Sequence, residues 1–491
     1  MSIDSYRAVR QTLLQQEPQR TKLNRTSLLS FFGILIGLFV VYVTSDGRVN
    51  LWYSALHFLI IGVSLLHIIW VRRFNLGSSY SLFALFFFGV IPLFEYRFGI
   101  TYNDASIPKD SSYITAAAFA LLASVCFYFG YGLKRGSTVY MDALQRMRFV
   151  SVRHRQLSLW TTFFVLAALA TFILFYYKFS PHAVLFRGYG EEQQQSAMGN
   201  SFVTYIARPL FLNLVLMMML AVLRRPRVSR TTIFVLFCSV VIFVSPVGIP
   251  RSLAGALYIP LLMMVFLPKH YSKYGVLCVI IFAILFAAPL ADVFRSINHT
   301  ESVDLGENYN LAYVFSGHFD AFHNFAQVIE LDYRSEGWQV VGILLFWVPR
   351  AIWSGKPQGT SFDFADFAGY EAHNISFSLP AEFYVDYGVG GIIFGMFLVG
   401  MIYRRVDAFL SKPKRSGSVA SYIFTIGHME LSILGLYLVR GSVLSSFAYT
   451  VGLSSTLVGV NLVDRLYRGV CNRWLAQPRH RADDQVTRLA L

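Results

Sequence analysis

Long runs of apolar residues recur along the chain, and they constrain its fold more than any other feature. One of them, "LWYSALHFLIIGVSLLHIIWV" at residues 51–71, contains no Asp, Glu, Lys or Arg. A run of about 20 apolar residues is long enough to cross the hydrocarbon core of a bilayer as a helix. Only 14% of the 491 residues are charged, against about 25% in a typical soluble domain. These patterns predict an all-α polytopic membrane protein.

Residues 1–491 are interpreted as a single transmembrane domain with about twelve transmembrane helices. The predicted spans are residues 28–44, 51–71, 80–95, 113–133, 158–177, 209–223, 231–249, 253–267, 275–293, 380–403, 420–439 and 443–463. No small-residue cleavage site follows the first run, so we expect that run to remain in the protein as a span. Short cytoplasmic tails are predicted at residues 1–27 and 464–491.

The loop charges predict the orientation of these spans. With the N-terminus in the cytoplasm, 30 of the 42 Lys and Arg residues fall on the cytoplasmic side, together with only 7 of the 27 acids. This asymmetry agrees with the tendency of Lys and Arg to remain on the cytoplasmic side. The net charge of +15 is therefore explained by topology and by attraction to anionic lipid. It does not indicate binding to nucleic acid.

The predicted topology leaves one large external loop, residues 294–379. Within it lies "WQVVGILLFWVPRAIW", residues 338–353, which is short for a span. We interpret this stretch as a re-entrant or interfacial helix that is broken at Pro349. Its three tryptophans suit the headgroup level of a membrane; they are Trp338, Trp347 and Trp353.

A second element of the loop is predicted at residues 310–331, "NLAYVFSGHFDAFHNFAQVIEL". Its apolar residues recur at helical spacing and form one stripe; they are Leu311, Val314, Phe315, Phe319, Phe322, Phe325, Ala326 and Ile329. Four polar residues share the other face through i, i+3 and i+4 spacing; they are Asp320, His323, Asn324 and Gln327. This pattern predicts an amphipathic helix.

Five cations are expected at the external membrane surface, at helix ends or within the loop. They are Arg251, Arg295, Arg350, Lys356 and Arg440. Single basic residues at the ends of spans often act only as anchors in the headgroup region. Several arginines at one depth also match an anionic headgroup, because a guanidinium binds two phosphate oxygens at once. Both interpretations remain open from the residues alone.

Three stretches, in this order, carry a resemblance to a known family. They are "WVPRAIWSGKPQGTS" at residues 347–361, "SLPAEFYVDYGVGGIIFGMFLVGMIYRR" at 378–405 and "LVRGSV" at 438–443. Together with about twelve spans and one large loop, they resemble the bacterial oligosaccharide repeat-unit polymerases of the Wzy, or O-antigen polymerase, kind. The likeness covers roughly residues 245–450.

The resemblance implies an integral-membrane glycosyltransferase of the bacterial inner membrane that needs neither metal nor cofactor. Such an enzyme transfers the growing glycan from undecaprenyl diphosphate onto the non-reducing end of another lipid-linked repeat unit, at the periplasmic face. The expected partners are these two lipid-linked oligosaccharides, the bilayer and a chain-length-regulating co-polymerase. The five external cations would then bind the lipid diphosphates.

The acceptor hydroxyl is a poor nucleophile, so a positioned base would accelerate this reaction. The candidates are His323, His373 and Glu382. Asp320 lies one turn before His323 and is a candidate to orient its ring. Glu382 begins the tenth predicted span, where a carboxylate also stabilises a helix N-terminus without any catalytic role. The residues do not decide between these candidates.

Alternatives come from two other observations. Glu430 and His428 fall within a predicted span, where ionisable residues often belong to proton pathways, so a proton-coupled lipid-oligosaccharide flippase is one alternative. A ligase that moves the glycan to another acceptor is a second alternative, and a structural subunit is a third. The four cysteines have no metal-ligand spacing, so neither zinc nor a disulfide framework is predicted.

Overall fold

The computed structural model describes most of the predicted helices and part of the large loop. The described residues are 25–71, 74–100, 107–133, 159–180, 184–185, 203–223, 230–246, 248–249, 251–266, 273–282, 319–346, 348, 352–370, 375–410, 419–441, 443–444, 446–456 and 458–459. Within them, regular secondary structure is entirely helical.

The helices are numbered here in chain order. They are α1 (Arg25–Thr44), α2 (Leu51–Trp70), α3 (Leu76–Phe98), α4 (Asp110–Gly132), α5 (Leu159–Tyr176), α6 (Arg208–Leu223), α7 (Arg230–Phe243), α8 (Arg251–Phe266), α9 (Lys273–Phe282), α10 (Ala321–Glu330), α11 (Trp338–Leu344), α12 (Thr360–Ala368), α13 (Leu379–Leu410) and α14 (Val419–Arg440). Residues 443–444, 446–456 and 458–459 are also helical and form the C-terminal helical segment.

Among the described residues, four helices are long and apolar enough to cross a membrane: α2, α3, α4 and Leu379–Phe409 of α13. Shorter apolar helices lie at Leu29–Thr44, Phe163–Tyr176 and Phe234–Phe243. The prediction of a helical membrane protein is therefore confirmed. The count of twelve spans, and the assignment of residues 294–379 to the periplasm, stay predictions.

The sequence explains the local form of α3. Its residues Ala84–Val90 are π-helical, and Pro92 follows directly. Because proline has no N–H, it cannot donate to the carbonyl of Phe88 four residues earlier. His57 of α2 donates to that carbonyl instead, with Nδ1 2.6 Å from the oxygen. The break in the hydrogen-bond ladder is thus repaired by a side chain of the neighbouring helix.

Helices α4 and α13 pack with their backbones in close contact. A side chain on Gly130 would lie 2.1 Å from the carbonyl oxygen of Phe397, and one on Gly400 would lie 2.2 Å from that of Phe127. Only glycine permits this approach, which is typical of small residues at interfaces between membrane helices. The two helices therefore form a closely packed pair at the centre of this part of the bundle.

The bundle has two ends that differ in their polar contacts. At the first, the loop helices meet the starts of α4 and α13: Lys109 Nζ lies 2.8 Å from Glu330 Oε1. We call this the loop end. At the opposite end, Asp407 of α13 contacts the start of α3 and the end of α4 through Leu76 and Tyr131. We call this the Asp407 end.

Helix α13 is interrupted near its start. Tyr387 and Gly388 leave helical geometry, and Gly388 adopts a φ of 61°, which glycine accommodates without strain. Arg334 donates to the carbonyl oxygen of Tyr384 at 2.7 Å, and the N–H of Ser335 donates to that of Val385 at 3.1 Å. The loop thus satisfies carbonyls at the end of the first two turns.

One prediction about the large loop was wrong in its detail. Helix α11 begins at Trp338 as expected, but it ends at Leu344, well before Pro349. The chain then turns, and Lys356 closes the turn by donating from Nζ to the carbonyl oxygens of Phe346 (2.6 Å) and Val348 (3.0 Å). The helix therefore ends before Pro349, which lies outside the described residues.

Candidate functional site at the loop end

The described part of the predicted amphipathic helix is α10, and both of its faces are buried. Phe322, Phe325 and Ala326 pack in the apolar core, as the stripe predicts. The polar residues Asp320, His323, Asn324 and Gln327 are buried as well. Burying polar side chains costs free energy unless they find hydrogen-bond partners. The polar face of α10 must therefore contact other polar groups rather than water.

Asp320 and Asn324 find their partners in the segment that leads into α13. Asn324 Nδ2 donates to Asp320 Oδ2 at 3.0 Å and to the carbonyl oxygen of Ser376 at 2.8 Å. The N–H of Ser376 donates to Asp320 Oδ1 at 3.3 Å. Burial raises the pKa of Asp320, while these hydrogen bonds and the charge of Arg440 oppose the shift. These contacts attach α10 to the start of α13.

Arg440, a predicted diphosphate ligand, lies on the other side of Ser376. Its Nη2 donates to Ser376 Oγ at 2.9 Å, and its carbonyl oxygen accepts from the N–H of Phe377 at 3.1 Å. Its guanidinium carbon is 5.7 Å from the ring centroid of Phe87. The structure therefore places this half-buried cation beside the polar face of α10, in one network with Asp320.

His323, on the same helix, is buried, with 2% of its surface exposed. Its Nδ1 lies 2.9 Å from the hydroxyl oxygen of Tyr113 in the first turn of α4. The described hydrogen bonds of the Asp320 oxygens run to Asn324 and Ser376 rather than to this ring, and a role of Asp320 in orienting His323 stays a prediction. Burial lowers the pKa of His323 to about 4, so its imidazole is neutral at pH 7.

Glu382 lies in the first turn of α13 and is also buried. Its Oε1 accepts from the N–H of Val443 at 2.8 Å. Val443 is the first residue of the C-terminal helical segment, so Glu382 caps the N-terminus of that segment rather than that of its own helix.

Asp386, one turn after Glu382, caps the N-terminus of α11. Its carboxylate accepts from the hydroxyl of Ser335 and from backbone N–H groups at the start of α11, those of Gly337, Gln339 and Val340. The first two turns of α13 thus attach the short loop helix and the C-terminal helical segment to each other.

The remaining predicted site residues are described only in part. Lys356 binds the two carbonyls of its own turn, and its contact with a diphosphate stays a prediction. Arg251 is the first residue of α8, and its side chain lies outside the described part of the structure. Three further residues lie outside the described part of the chain; they are Arg295, Arg350 and His373.

Several buried polar atoms of the loop end have no hydrogen-bond partner among the described residues. They are Asn324 Oδ1, Thr360 Oγ1, Tyr370 Oη and Ser378 Oγ. Buried polar atoms without a partner are rare in folded proteins, and each one requires an explanation. Together they leave hydrogen-bonding capacity at the loop end that the described residues do not use.

Two residues that make polar contacts at the loop end were not predicted from the sequence. Tyr113 is more than 200 positions from His323, and no local pattern connects them. Arg334 binds the carbonyl and the ring of Tyr384, with its guanidinium carbon 3.9 Å from the ring centroid. Its sequence neighbourhood resembles any polar loop, so only the fold identifies its role.

The two ionisable groups predicted inside a span take separate positions. His428 Nε2 lies 2.9 Å from Asp407 Oδ1, at the Asp407 end. Glu430 is fully buried in α14, beside the side-chain amide of Asn213 in α6. Neither residue belongs to the loop-end network. Within the described ranges, no group of three or more His, Cys, Asp or Glu residues is arranged to hold a metal ion.

Comparison of the chain with protein-family models, with curated proteins and with solved structures finds no match. The chemistry of the site is therefore argued from its own residues.

Proposed function

We propose that the protein polymerises lipid-linked oligosaccharide repeat units at the periplasmic face of a bacterial inner membrane, as in the synthesis of the O-antigen of lipopolysaccharide. The growing glycan would move from undecaprenyl diphosphate to the non-reducing end of another lipid-linked repeat unit. The observation that carries the proposal is the loop-end network. It joins the helix of His323 to Arg440 through hydrogen bonds to Ser376. Among the described residues, it also contains buried polar atoms that have no hydrogen-bond partner.

The position of this network suits a substrate in which a membrane lipid carries a polar oligosaccharide. It lies at one end of a bundle that contains helices able to cross a membrane. Beside it, α11 exposes apolar surface, with Trp338 49% exposed and Leu344 66% exposed. Aromatic residues favour the headgroup region, so α11 fits the membrane surface. A diphosphate attached to a membrane lipid lies at that same depth.

The chemistry supports the same assignment. The reaction breaks the bond between an anomeric carbon and a diphosphate, so negative charge develops on the leaving group. Fixed cations stabilise that charge without proton transfer. Arg440 supplies one, and the proposal assigns Arg251, Arg295, Arg350 and Lys356 to the same task. Glu382, His323 and His373 are the candidates for the base that accepts the proton of the acceptor hydroxyl.

One observation favours a second candidate, a proton-coupled flippase for the same lipid-linked sugars. Glu430 is fully buried between α14 and α6, beside the side-chain amide of Asn213. Ionisable residues inside membrane proteins are often functional. Glu430→Gln separates the two candidates, because it should abolish a proton-coupled transport cycle and leave polymerisation in detergent unchanged.

The decisive experiment uses purified protein and lipid-linked repeat units in detergent, with product length read on a gel. A ladder of two or more repeat units is expected from the wild-type protein. Arg440→Ala should give only single repeat units at an equal protein concentration. A second reaction includes a lipid-linked core oligosaccharide as the acceptor. Transfer to that acceptor without any ladder would contradict polymerisation and favour the ligase.

A further inference from the structure

The contact between Tyr113 and His323 determines which nitrogen of the imidazole carries the proton. A neutral imidazole has one N–H donor and one bare acceptor nitrogen. His323 Nδ1 lies 2.9 Å from the phenol oxygen of Tyr113, so either group could donate across this distance. The surroundings of the phenol decide between the two arrangements.

Among the described residues, the Tyr113 hydroxyl makes no hydrogen bond other than the one with His323. Its ring packs against the rings of Tyr53, Tyr96 and Phe322, and His323 Nδ1 is its one hydrogen-bond partner. If Nδ1–H donated to the phenol oxygen, the phenol O–H would be left buried without an acceptor, which is unfavourable. If the phenol donates to Nδ1, both groups are satisfied and the proton of the imidazole lies on Nε2.

We infer that Tyr113 is a positioning residue that holds His323 in the Nε2–H tautomer, so that His323 donates a hydrogen bond to the diphosphate leaving group. This role rests on the proposed function, and it replaces the role of His323 as general base. An Nε2 that already carries a proton cannot accept one from the acceptor hydroxyl. A neutral imidazole that donates a hydrogen bond to a developing oxyanion is an established means of catalysis.

The reaction then balances as follows. The acceptor hydroxyl oxygen forms a bond to the anomeric carbon while the bond from that carbon to the diphosphate oxygen breaks. The electron pair of the broken bond remains on the diphosphate, which the Arg440 guanidinium and the His323 Nε2–H stabilise. The proton of the hydroxyl passes to the carboxylate of Glu382. His323 keeps its proton throughout.

Neutrality of the ring at working pH is consistent with its burial. Burial lowers the pKa of His323 to about 4, so no imidazolium forms near pH 7. A buried imidazolium would carry two N–H donors, and the phenol O–H could then no longer donate to Nδ1.

The direct test is nitrogen NMR on protein labelled with ¹⁵N in histidine only, with the His323 signals identified by their loss in His323→Gln. The expected spectrum has a pyridine-type Nδ1 and a pyrrole-type Nε2 for His323. In Tyr113→Phe this pattern should change to that of a tautomer mixture. A pyrrole-type Nδ1 in the wild-type protein would overturn the inference. This readout needs no turnover, so it stands or fails independently of the proposed polymerase activity.

The kinetic test compares two substitutions of His323. An amide N–H can replace an imidazole donor but cannot act as a base. His323→Gln should therefore stay within about 10-fold of the wild-type kcat, while His323→Ala should fall by roughly 100- to 1000-fold, as expected when one oxyanion donor is removed. Equal loss in both variants at equal protein levels would overturn the donor role.

The variant Tyr113→Phe tests the positioning role of Tyr113. It should lower kcat by about 10-fold with little change in KM, as is typical when the partner that orients a functional histidine is lost. The matched control is Tyr80→Phe, because the Tyr80 hydroxyl is also buried against α4, where it lies 3.1 Å from Ser124 Oγ, and it is outside the loop-end network. That control should leave kcat and the His323 spectrum unchanged. An unchanged kcat in Tyr113→Phe would contradict the positioning role.

Discussion

The two ends of the bundle both contain a buried carboxylate network, but they satisfy their polar atoms differently. At the Asp407 end, Asp407 Oδ1 accepts from the N–H of Leu76 (3.0 Å), and Oδ2 accepts from the N–H of Gly77 (3.3 Å) and the hydroxyl of Tyr131 (2.7 Å). His428 Nε2 adds a fourth contact at 2.9 Å. Among the described residues, these four contacts satisfy the Asp407 carboxylate within the protein.

The loop end lacks this internal balance. Asp320 is bound by Asn324 and Ser376, yet Asn324 Oδ1, Ser378 Oγ and Tyr370 Oη remain without partners among the described residues. A network that satisfies itself is what a helix cap and a packing contact require. A network with unused donors and acceptors is what a ligand requires. The comparison therefore favours a structural role for the Asp407 end and is consistent with the binding role that we propose for the loop end.

The largest expected effect concerns which end faces which side of the membrane. In a background without native cysteines, Gln358→Cys should react with an impermeant thiol reagent added to intact spheroplasts, and Ser416→Cys should not. The reason is the cytoplasmic bias of Lys and Arg around the loops. Permeabilised cells, in which both positions should react, provide the control. The reverse labelling would place the loop end in the cytoplasm and remove the proposed periplasmic site.

The second prediction addresses the Asp407 end alone. Asp407→Ala leaves two backbone N–H groups, a phenol and an imidazole without their acceptor, so we expect a loss of roughly 3–5 kcal/mol in the free energy of unfolding. Thermal unfolding of purified protein measures this loss. Asp407→Asn is the matched control, since its amide oxygen still accepts from the backbone and its melting temperature should fall less. A melting temperature unchanged by alanine would refute the structural assignment.

The third prediction addresses the cations of the loop end. Arg440→Lys and Arg350→Lys should lose nearly as much polymerisation as the corresponding alanine variants, about 100-fold or more, because an ammonium cannot bind two phosphate oxygens in the guanidinium geometry. Melting temperatures should change little. Arg405→Ala, an exposed residue near the Asp407 end, is the control and should polymerise normally. Long polymer from the lysine variants would reduce these residues to membrane anchors.

The smallest effect is expected from a single unused hydroxyl. Ser378→Ala should leave the melting temperature unchanged and raise KM by about 2- to 10-fold, the range for one lost neutral hydrogen bond to a ligand. Ser432→Ala is the matched control, because its buried Oγ also lacks a partner among the described residues but lies in α14, outside the loop-end network. If both variants keep the wild-type KM, the unused atoms of the loop end are not part of a binding site.

The sequence predicts the helices well and the site only in part. Apolar runs give α2, α4 and the start of α13 to within a few residues, because a membrane span is a local property of composition, whereas α13 continues to Leu410, beyond its predicted end at residue 403. The spacing of α10 correctly groups its polar residues on one face. The partner of His323 is a different matter, since Tyr113 is brought to it by packing between distant segments. The same is true of Glu382, which caps a helix about 60 residues further along the chain.

The interruption of α13 has a mechanical consequence. The eight residues before it, Leu379 to Asp386, form a lever of about 12 Å at 1.5 Å per residue. Beyond Gly388, the helix is fixed to α4 by glycine-mediated backbone contact. A rotation of about 20° at this pivot would therefore displace the tip of the lever by about 4 Å. Since Glu382 and Asp386 attach the C-terminal helical segment and α11 to the lever, all three would move together relative to α4.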